Sequence, residues 1–199
     1  MNFYWQVNHV ENNEITKEGK NVWYEIFEWV QAIVAAIVIA MFLRTYVFTL
    51  ANVSGDSMFP TLHNNDRLFV WRAGYTAQVD DIIIFRPKGH EDTPYVKRII
   101  ATEGQTVNIV PVAGQSYCEV YVDGNLLTEE YINAKISRNS IGNMKYPAVV
   151  PEDCVFVMGD NRNYSKDSRF AEVGMVTTDS IIGKAVFRLF PFNSIGKIS

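Results

Sequence analysis

A serine with catalytic potential lies in the segment SGDSMFPTL, residues 54–62, directly after the most apolar stretch of the chain. A serine hydroxyl becomes an effective nucleophile only when a neighbouring base removes its proton. Serine, glycine and aspartate are also common in ordinary turns. The segment therefore predicts either a turn or a nucleophile at Ser57, and the choice depends on whether the chain supplies a base.

Lys97 is the strongest candidate for that base. It lies in the apolar run YVKRII, where the same-face neighbours on an extended strand are Tyr95 and Ile99. Burial there would lower the lysine pKa from about 10.4 towards neutrality. A surface lysine, similar to the adjacent Arg98, is the competing interpretation. Histidine is the usual base in a triad, but the three histidines are scattered in polar segments: His9, His63 and His90.

A third stretch, GDNRNYSKDSR at residues 159–169, contains two aspartates, two arginines, two serines and two asparagines. It follows the apolar run VFVM. One interpretation is a polar surface loop with weak aspartate–arginine pairs. The other is a buried polar network that positions catalytic groups.

The elements that must position these residues fall into two regions. Trp29 to Leu43 contains no charge, and tryptophan and tyrosine residues extend the apolar segment at both ends. This pattern favours a single membrane anchor over residues 23–48, preceded by a flexible tail at 1–22. A buried core helix and a cleaved signal peptide are the alternatives, although the acidic leading region is atypical of a signal peptide.

From residue 49 onward the sequence predicts a mostly β domain. Short runs rich in β-branched and aromatic residues recur between residues 67 and 190, and no long segment has helical periodicity. Asp123-Gly124 between apolar residues predicts a hairpin. Residues 128–150 are the least patterned and are interpreted as a loop or a small lobe.

Composition narrows the classes of molecule that this chain is expected to bind. A net charge of −4 gives no broad basic surface for nucleic acid. The chain has no CxxC or HExxH motif, and we expect neither a metal site nor a cofactor. Two cysteines, Cys118 and Cys154, form no disulfide framework, and the sequence leaves open whether they pair.

The three stretches, in this order after an apolar segment, resemble type I signal peptidases, the membrane-anchored Ser/Lys proteases that remove signal peptides. The matching boxes are GDSMFPTL, YVKRIIATEGQTV and GDNRNYSKDSR, and the resemblance covers residues from about 23 to 190. It implies an antiparallel β fold of coiled sheets, Ser57 as nucleophile and Lys97 as general base. Ser165 would orient the lysine amine, and the remaining supporting residues would be Asp160, Asn161, Arg162, Asp167, Ser168 and Arg169.

The resemblance also implies a substrate. Exported preproteins would be cut after Ala-X-Ala, with shallow pockets lined by Val53, Met58, Tyr95 and Val96. It further implies a cytoplasmic N-terminus, a monomer in the lipid bilayer and an extracytoplasmic catalytic domain. Gly55 stands where some relatives have a serine that donates to the oxyanion, as in the Gram-positive branch, so that the second oxyanion donor is not identified.

Two other classes of protein share parts of this sequence pattern. Self-cleaving regulators of the repressor type use a related Ser/Lys site, but they carry a DNA-binding domain where this chain has its apolar segment. A catalytically inactive, membrane-tethered binding module of the same fold is the second alternative, and the intact Ser57, Lys97 and Ser165 disfavour it.

Overall fold

The structure is a computed structural model that describes residues 22–89 and 92–198. The predicted tail at 1–22 therefore lies almost wholly outside the described residues, as do His9 and His90. The chain divides into two compact units, Met1–Met41 and Phe42–Ser199. In the described residues the helical segments are the α-helix α1 (Val22–Phe42), a π-helical turn (Leu43–Val47) and three 3-10 turns (Arg138–Ser140, Thr178–Ser180 and Phe192–Ser194).

The described strands are β1 (Phe48–Asn52), β2 (Arg67–Trp71), β3 (Ile82–Phe85), β4 (Tyr95–Thr102), β5 (Thr106–Pro111), β6 (Tyr117–Val122), β7 (Asn125–Leu126), β8 (Ile136–Ser137), β9 (Ala148–Val149), β10 (Cys154–Met158), β11 (Val176–Thr177), β12 (Ile181–Phe190) and β13 (Gly196–Lys197). The prediction of a mostly β fold preceded by an apolar helix is confirmed.

The apolar segment is helical and exposes its side chains. Val22–Val47 is long and apolar enough to cross a bilayer, and no residue of α1 is buried. The predicted anchor extended to residue 48, but Phe48 begins β1, where it pairs with Trp71 of β2. The helical segment therefore ends one residue before the end of the predicted anchor, at the point where β1 begins to pair with β2.

The described strands form two antiparallel sheets. The larger has the order β1-β2-β12-β3-β4-β10-β11, with β13 added beside β12. The smaller has the order β7-β6-β5-β9, with β8 beside β6, and it includes the short elements of the 128–150 region. The hairpin predicted at Asp123-Gly124 joins β6 and β7.

Burial on both faces explains the continuous apolar run in β3. Ile82 and Ile84 pack into one core cluster, and Ile83 and Phe85 pack into another. Successive side chains of a strand point to opposite faces, so a strand between two cores has no exposed face. β3 pairs with β4 in a register that sets Ile83 opposite Lys97. The lysine is thereby fixed within the apolar part of the sheet.

A third core cluster joins the two sheets. Ile100 and Phe156 of the larger sheet pack with Val107 and Val120 of the smaller one. Cys118 is buried in the same cluster and Cys154 packs against it, and both are free thiols.

We predict that Gly124→Ala lowers the stability of the β unit, whereas Gly196→Ala changes it little. Both glycines have open space where a Cβ would lie, but only Gly124 has a left-handed backbone, with φ +79°. An L-residue pays about 1–2 kcal/mol in that conformation. Thermal unfolding of the two variants in detergent measures the difference, and equal melting temperatures would contradict the assigned turn.

Candidate active site

The structure brings the predicted nucleophile and base into direct contact. Lys97 Nζ lies 2.8 Å from Ser57 Oγ and 2.8 Å from the carbonyl oxygen of Val96. Only 4% of Lys97 is exposed to solvent. β4 supplies the lysine, and the turn that follows β1 supplies the serine. Residues 40 positions apart in the chain therefore meet at hydrogen-bond distance.

The surroundings of Lys97 favour its neutral form. Burial lowers the lysine pKa to about 8, because desolvation disfavours the charged ammonium. The nearby carboxylates of Asp167 and Asp160 act in the opposite direction, and the guanidinium of Arg169 acts in the same direction as burial. The Lys97 amine can thus accept a proton near neutral pH, which an ordinary surface lysine cannot do.

Most of the 159–169 segment is a buried polar network and not a surface loop, although Tyr164 and Lys166 are exposed. Among its members, Asp160, Arg162, Asp167, Ser168 and Arg169 are almost completely buried, and Asn161 and Ser165 are 8% and 7% exposed. Arg169 binds Asp167 through Nε and Nη2 at 2.7 and 2.8 Å. Burial alone would raise the pKa of Asp167, but the hydrogen bonds and the charge of Arg169 hold it below its usual range.

This network also fixes the turn that carries Ser57. The Asn161 backbone N–H donates to the Ser57 carbonyl at 3.0 Å, and the Asn161 side-chain amide donates to the Asp56 carbonyl at 3.0 Å. Gly159 lies between this turn and Ser165, where a Cβ would overlap both Ser165 Oγ and the Ser57 carbonyl oxygen. The close approach therefore requires glycine at this position.

Ser165 has a different partner from the one that the resemblance implied. Its hydroxyl donates to Asp167 Oδ2 at 2.6 Å, and in the described residues no hydrogen bond joins it to Lys97 Nζ. Ser168 Oγ accepts a hydrogen bond from the Val157 backbone N–H at 3.0 Å. The hydrogen bonds of these two hydroxyl groups thus stabilise the buried conformation of the 159–169 segment.

Arg98 is buried, and its interpretation as a surface residue was wrong. It makes a two-pronged contact with Asp160, at 2.9 and 2.8 Å, and the Tyr131 ring lies 3.9 Å from its guanidinium. Thr61 donates to the same carboxylate at 2.5 Å. Asp160 therefore ties the strand that carries Lys97 to the segment that follows Ser57.

The sequence analysis missed two residues of the network in the poorly patterned 128–150 region. Tyr131 stacks on Arg98, and Glu129 forms an ion pair with Arg162. The sequence TEEYINAK carried no signal for these contacts, because an acidic residue and a tyrosine in an irregular segment are common on any surface.

A cavity of about 240 Å³ opens beside the Ser57–Lys97 pair. Val53, Tyr95 and Val96, which were predicted to contact substrate, line it. Met58 does not line it, because Met58 is 1% exposed and packs into the core under the Ser57 turn. The other lining residues are Asn52, Ser54, Thr93, Pro94 and Lys166.

The backbone N–H of Ser57 is available to an oxyanion. The Ser57 N–H makes no hydrogen bond within the described part of the chain, whereas the Gly55 N–H donates to Asn64 Oδ1 at 2.9 Å. Gly55 has φ +82°, a conformation that strains any L-residue. The glycine at this position therefore follows from the backbone conformation of the turn.

His63 does not contact Ser57. Its backbone N–H donates to Asp66, and its ring packs edge-on against Phe59. In the described residues Lys97 is therefore the base within reach of the serine.

Comparisons with known proteins find relatives over most of the chain. A family model described as signal peptidase, peptidase S26, matches residues 26–190. The chain is 37% identical over 181 residues to Signal peptidase I S of Bacillus subtilis (strain 168), covering 86% of this chain and 93% of that protein. It is 39% identical over 187 residues to Probable signal peptidase I-1 of Synechocystis sp. (strain ATCC 27184 / PCC 6803 / Kazusa), covering 88% of each.

Among solved structures, a signal peptidase I from Enterococcus faecalis V583 is similar, with 29% sequence identity and a TM-score of 0.43. The match covers 55% of this chain and 97% of that one.

We predict that Lys97→Met stabilises the folded protein at pH 7 and that the gain disappears above about pH 10.5. Because the folded pKa of Lys97 is about 8 and the unfolded value is about 10.5, the unfolded chain binds more protons between these values, and stability rises with pH there. The shift corresponds to about 3 kcal/mol at pH 7.

Denaturant unfolding at pH 7 and pH 10.5 measures this effect, and Lys145→Met, at an exposed lysine, is the matched control. An equal loss of stability in the Lys97 variant at both pH values would contradict a desolvated ammonium.

Proposed function

The chain belongs to the signal peptidase family, peptidase S26, and from this membership we propose that it is a membrane-anchored serine endopeptidase using a Ser57–Lys97 dyad. It cleaves signal peptides from preproteins. The observation that carries the dyad is the 2.8 Å contact between Lys97 Nζ and Ser57 Oγ at a buried lysine. A catalytically inactive binding module would not need to bury a lysine amine against a serine.

In the proposed mechanism the neutral Lys97 amine takes the proton from Ser57 as Oγ attacks the scissile carbonyl. The tetrahedral oxyanion accepts a hydrogen bond from the free Ser57 N–H, an interaction worth about 3 kcal/mol in a comparable protease. Lys97 then gives its proton to the leaving amine, and the signal peptide remains as an ester of Ser57. Lys97 finally removes a proton from the water that hydrolyses this ester.

The cavity supports a preference for small residues at the first and third positions before the cut. The Val53, Tyr95 and Val96 side chains line the wall of this cavity and can pack against small apolar side chains. An extended substrate can lie between residues 52–54 and residues 93–96, and its backbone can add to the strands on either side. Ser165 is proposed to act on Lys97 through Asp167.

The proposed arrangement has residues 23–48 as the anchor and residues 49–199 as the catalytic domain, with 128–150 as an accessory lobe. The N-terminus is cytoplasmic, the catalytic domain is extracytoplasmic, and the enzyme acts as a monomer at the cell membrane without nucleic acid. The apolar Val22–Val47 segment supports the anchor.

The function is tested by incubating the full-length protein in detergent with a preprotein that carries a signal peptide. We expect wild type to release a product whose new N-terminus follows Ala-X-Ala, and Ser57→Ala and Lys97→Arg to release none. Arginine keeps the positive charge but does not deprotonate in this pH range. Cleavage that survives Lys97→Arg would exclude Lys97 as the base, and no cleavage by wild type would favour the binding module.

The pH dependence gives a second prediction. We expect kcat/KM to rise about tenfold per pH unit below the Lys97 pKa of about 8 and to level off above it, since only the neutral amine accepts the serine proton. Initial rates between pH 5.5 and 9.5 with a neutral-flanked substrate measure this limb. A profile that is flat across that range would contradict lysine as the base.

A further inference from the structure

One charged side chain in the wall of the catalytic cavity has no part in the proposed mechanism. Lys166 lines this cavity with Ser57, Lys97, Val53 and Tyr95. It follows Ser165 directly in the chain, but unlike its buried neighbours it is half exposed. Apart from Lys97, it is the lining residue of this cavity that carries a charge, as far as the chain is described. A positive charge there acts on whatever substrate residue lies beside it.

Lys166 is paired weakly enough to interact with a substrate. Its partner is Glu172, and the two side chains are 51% and 62% exposed. Exposed ion pairs of this kind contribute little because water competes with them. The hydrogen bond from Lys166 to Glu172 also raises the lysine pKa, so Lys166 remains cationic at the pH where Lys97 is neutral. A substrate carboxylate can therefore bind the Lys166 ammonium beside Glu172 or in place of it.

The Lys166–Glu172 pair stands between two cavities. Glu172 lines a second, larger cavity of about 510 Å³, together with Phe85 at the end of β3. Phe85 pairs with Tyr95, which lines the catalytic cavity, and their rings are 6.1 Å apart. Both cavities therefore lie near the Phe85–Tyr95 end of the β3–β4 pair, and each partner of the ion pair lines one of them.

Under the proposed function, the lining of the catalytic cavity gives the substrate a direction. The signal peptide is itself apolar, and under the proposed function its small residues occupy the part of the cavity lined by Val53 and Val96. The chain after the cut then lies towards Lys166, the charged part of the same lining.

We propose that Lys166 is a specificity-determining residue that favours preproteins with an acidic side chain at the first or second position after the cut. This inference rests on the proposed function and deepens it. At about 3.3 Å per extended residue, these two positions are the ones within reach of a side chain that lines the cavity of the reacting serine. The acidic side chain meets the ammonium of Lys166, and a basic one is repelled by it.

The test compares preproteins that differ only after the cut, with Asp, Ser or Lys at the first or the second position. For the full-length enzyme in detergent at low salt, we expect kcat/KM to be about fivefold higher for Asp than for Lys, a size typical of exposed charge pairs. The ratio is expected to fall towards one in 0.5 M salt, because salt screens exposed charges. Equal kcat/KM for the Asp, Ser and Lys substrates in wild type would overturn the inference.

Variants of Lys166 separate a charge effect from a structural one. Lys166→Gln is expected to bring the Asp/Lys ratio close to one, Lys166→Arg to keep it, and Lys166→Glu to reverse it. Glu172→Gln is expected to raise it, because the ammonium loses its competing carboxylate. Lys145→Gln makes the same charge change at an exposed lysine that lines neither cavity, and it is expected to leave the ratio unchanged.

A reversed ratio in Lys166→Glu cannot come from a misfolded enzyme, since loss of folding lowers both rates together. Substrates with Asp or Lys two positions before the cut complete the set, and a charge preference found there in place of the later positions would overturn the assigned direction. If the Ser substrate is also not cut by wild type, the proposed function itself fails; if it is cut and charge has no effect, only the role of Lys166 fails.

Discussion

The chemistry of this protein depends on one costly interaction, the burial of a lysine amine against a serine hydroxyl. Within residues 22–89 and 92–198, Lys97 forms no hydrogen bond or ion pair with a carboxylate, and its hydrogen bonds are to Ser57 Oγ and the Val96 carbonyl oxygen. Both are neutral acceptors, which do not hold a proton on the amine as an aspartate would. Removing the ammonium from water thus lowers its pKa to about 8, and the same removal destabilises the folded state.

The fold offsets this cost by surrounding the lysine with satisfied groups. β4 is central in the larger sheet, between β3 and β10, so the backbone on both sides of Lys97 is fixed by ladders. Ser57 is held less directly, through Asn161, whose backbone and side chain bind two successive carbonyls of the turn. The serine is therefore positioned by a segment more than a hundred residues later, which explains why the third stretch must be buried.

Sequence patterns predicted the parts of this arrangement that have a local cause. The apolar runs became strands and Asp123-Gly124 became a hairpin turn. The apolar same-face neighbours of Lys97 made it a candidate base, but its assignment as the base came from the resemblance. Other residues have causes that no local pattern contains. Arg98 is buried by a carboxylate 62 positions away, and Tyr131 covers it from an irregular segment. Met58 was assigned to the substrate pockets on resemblance, yet its side chain turns into the core.

The balance of charge around Lys97 explains why its pKa stays low although two buried carboxylates lie nearby. Asp160 and Asp167 each act to raise the lysine pKa. Asp160 is neutralised by Arg98, and Asp167 by Arg169, in both cases through two parallel hydrogen bonds. In such forked pairs the guanidinium charge largely cancels the carboxylate charge at a distance. Desolvation then remains the largest influence on Lys97, and the network can be rich in buried charge while the amine beside it stays neutral enough to take the proton of Ser57.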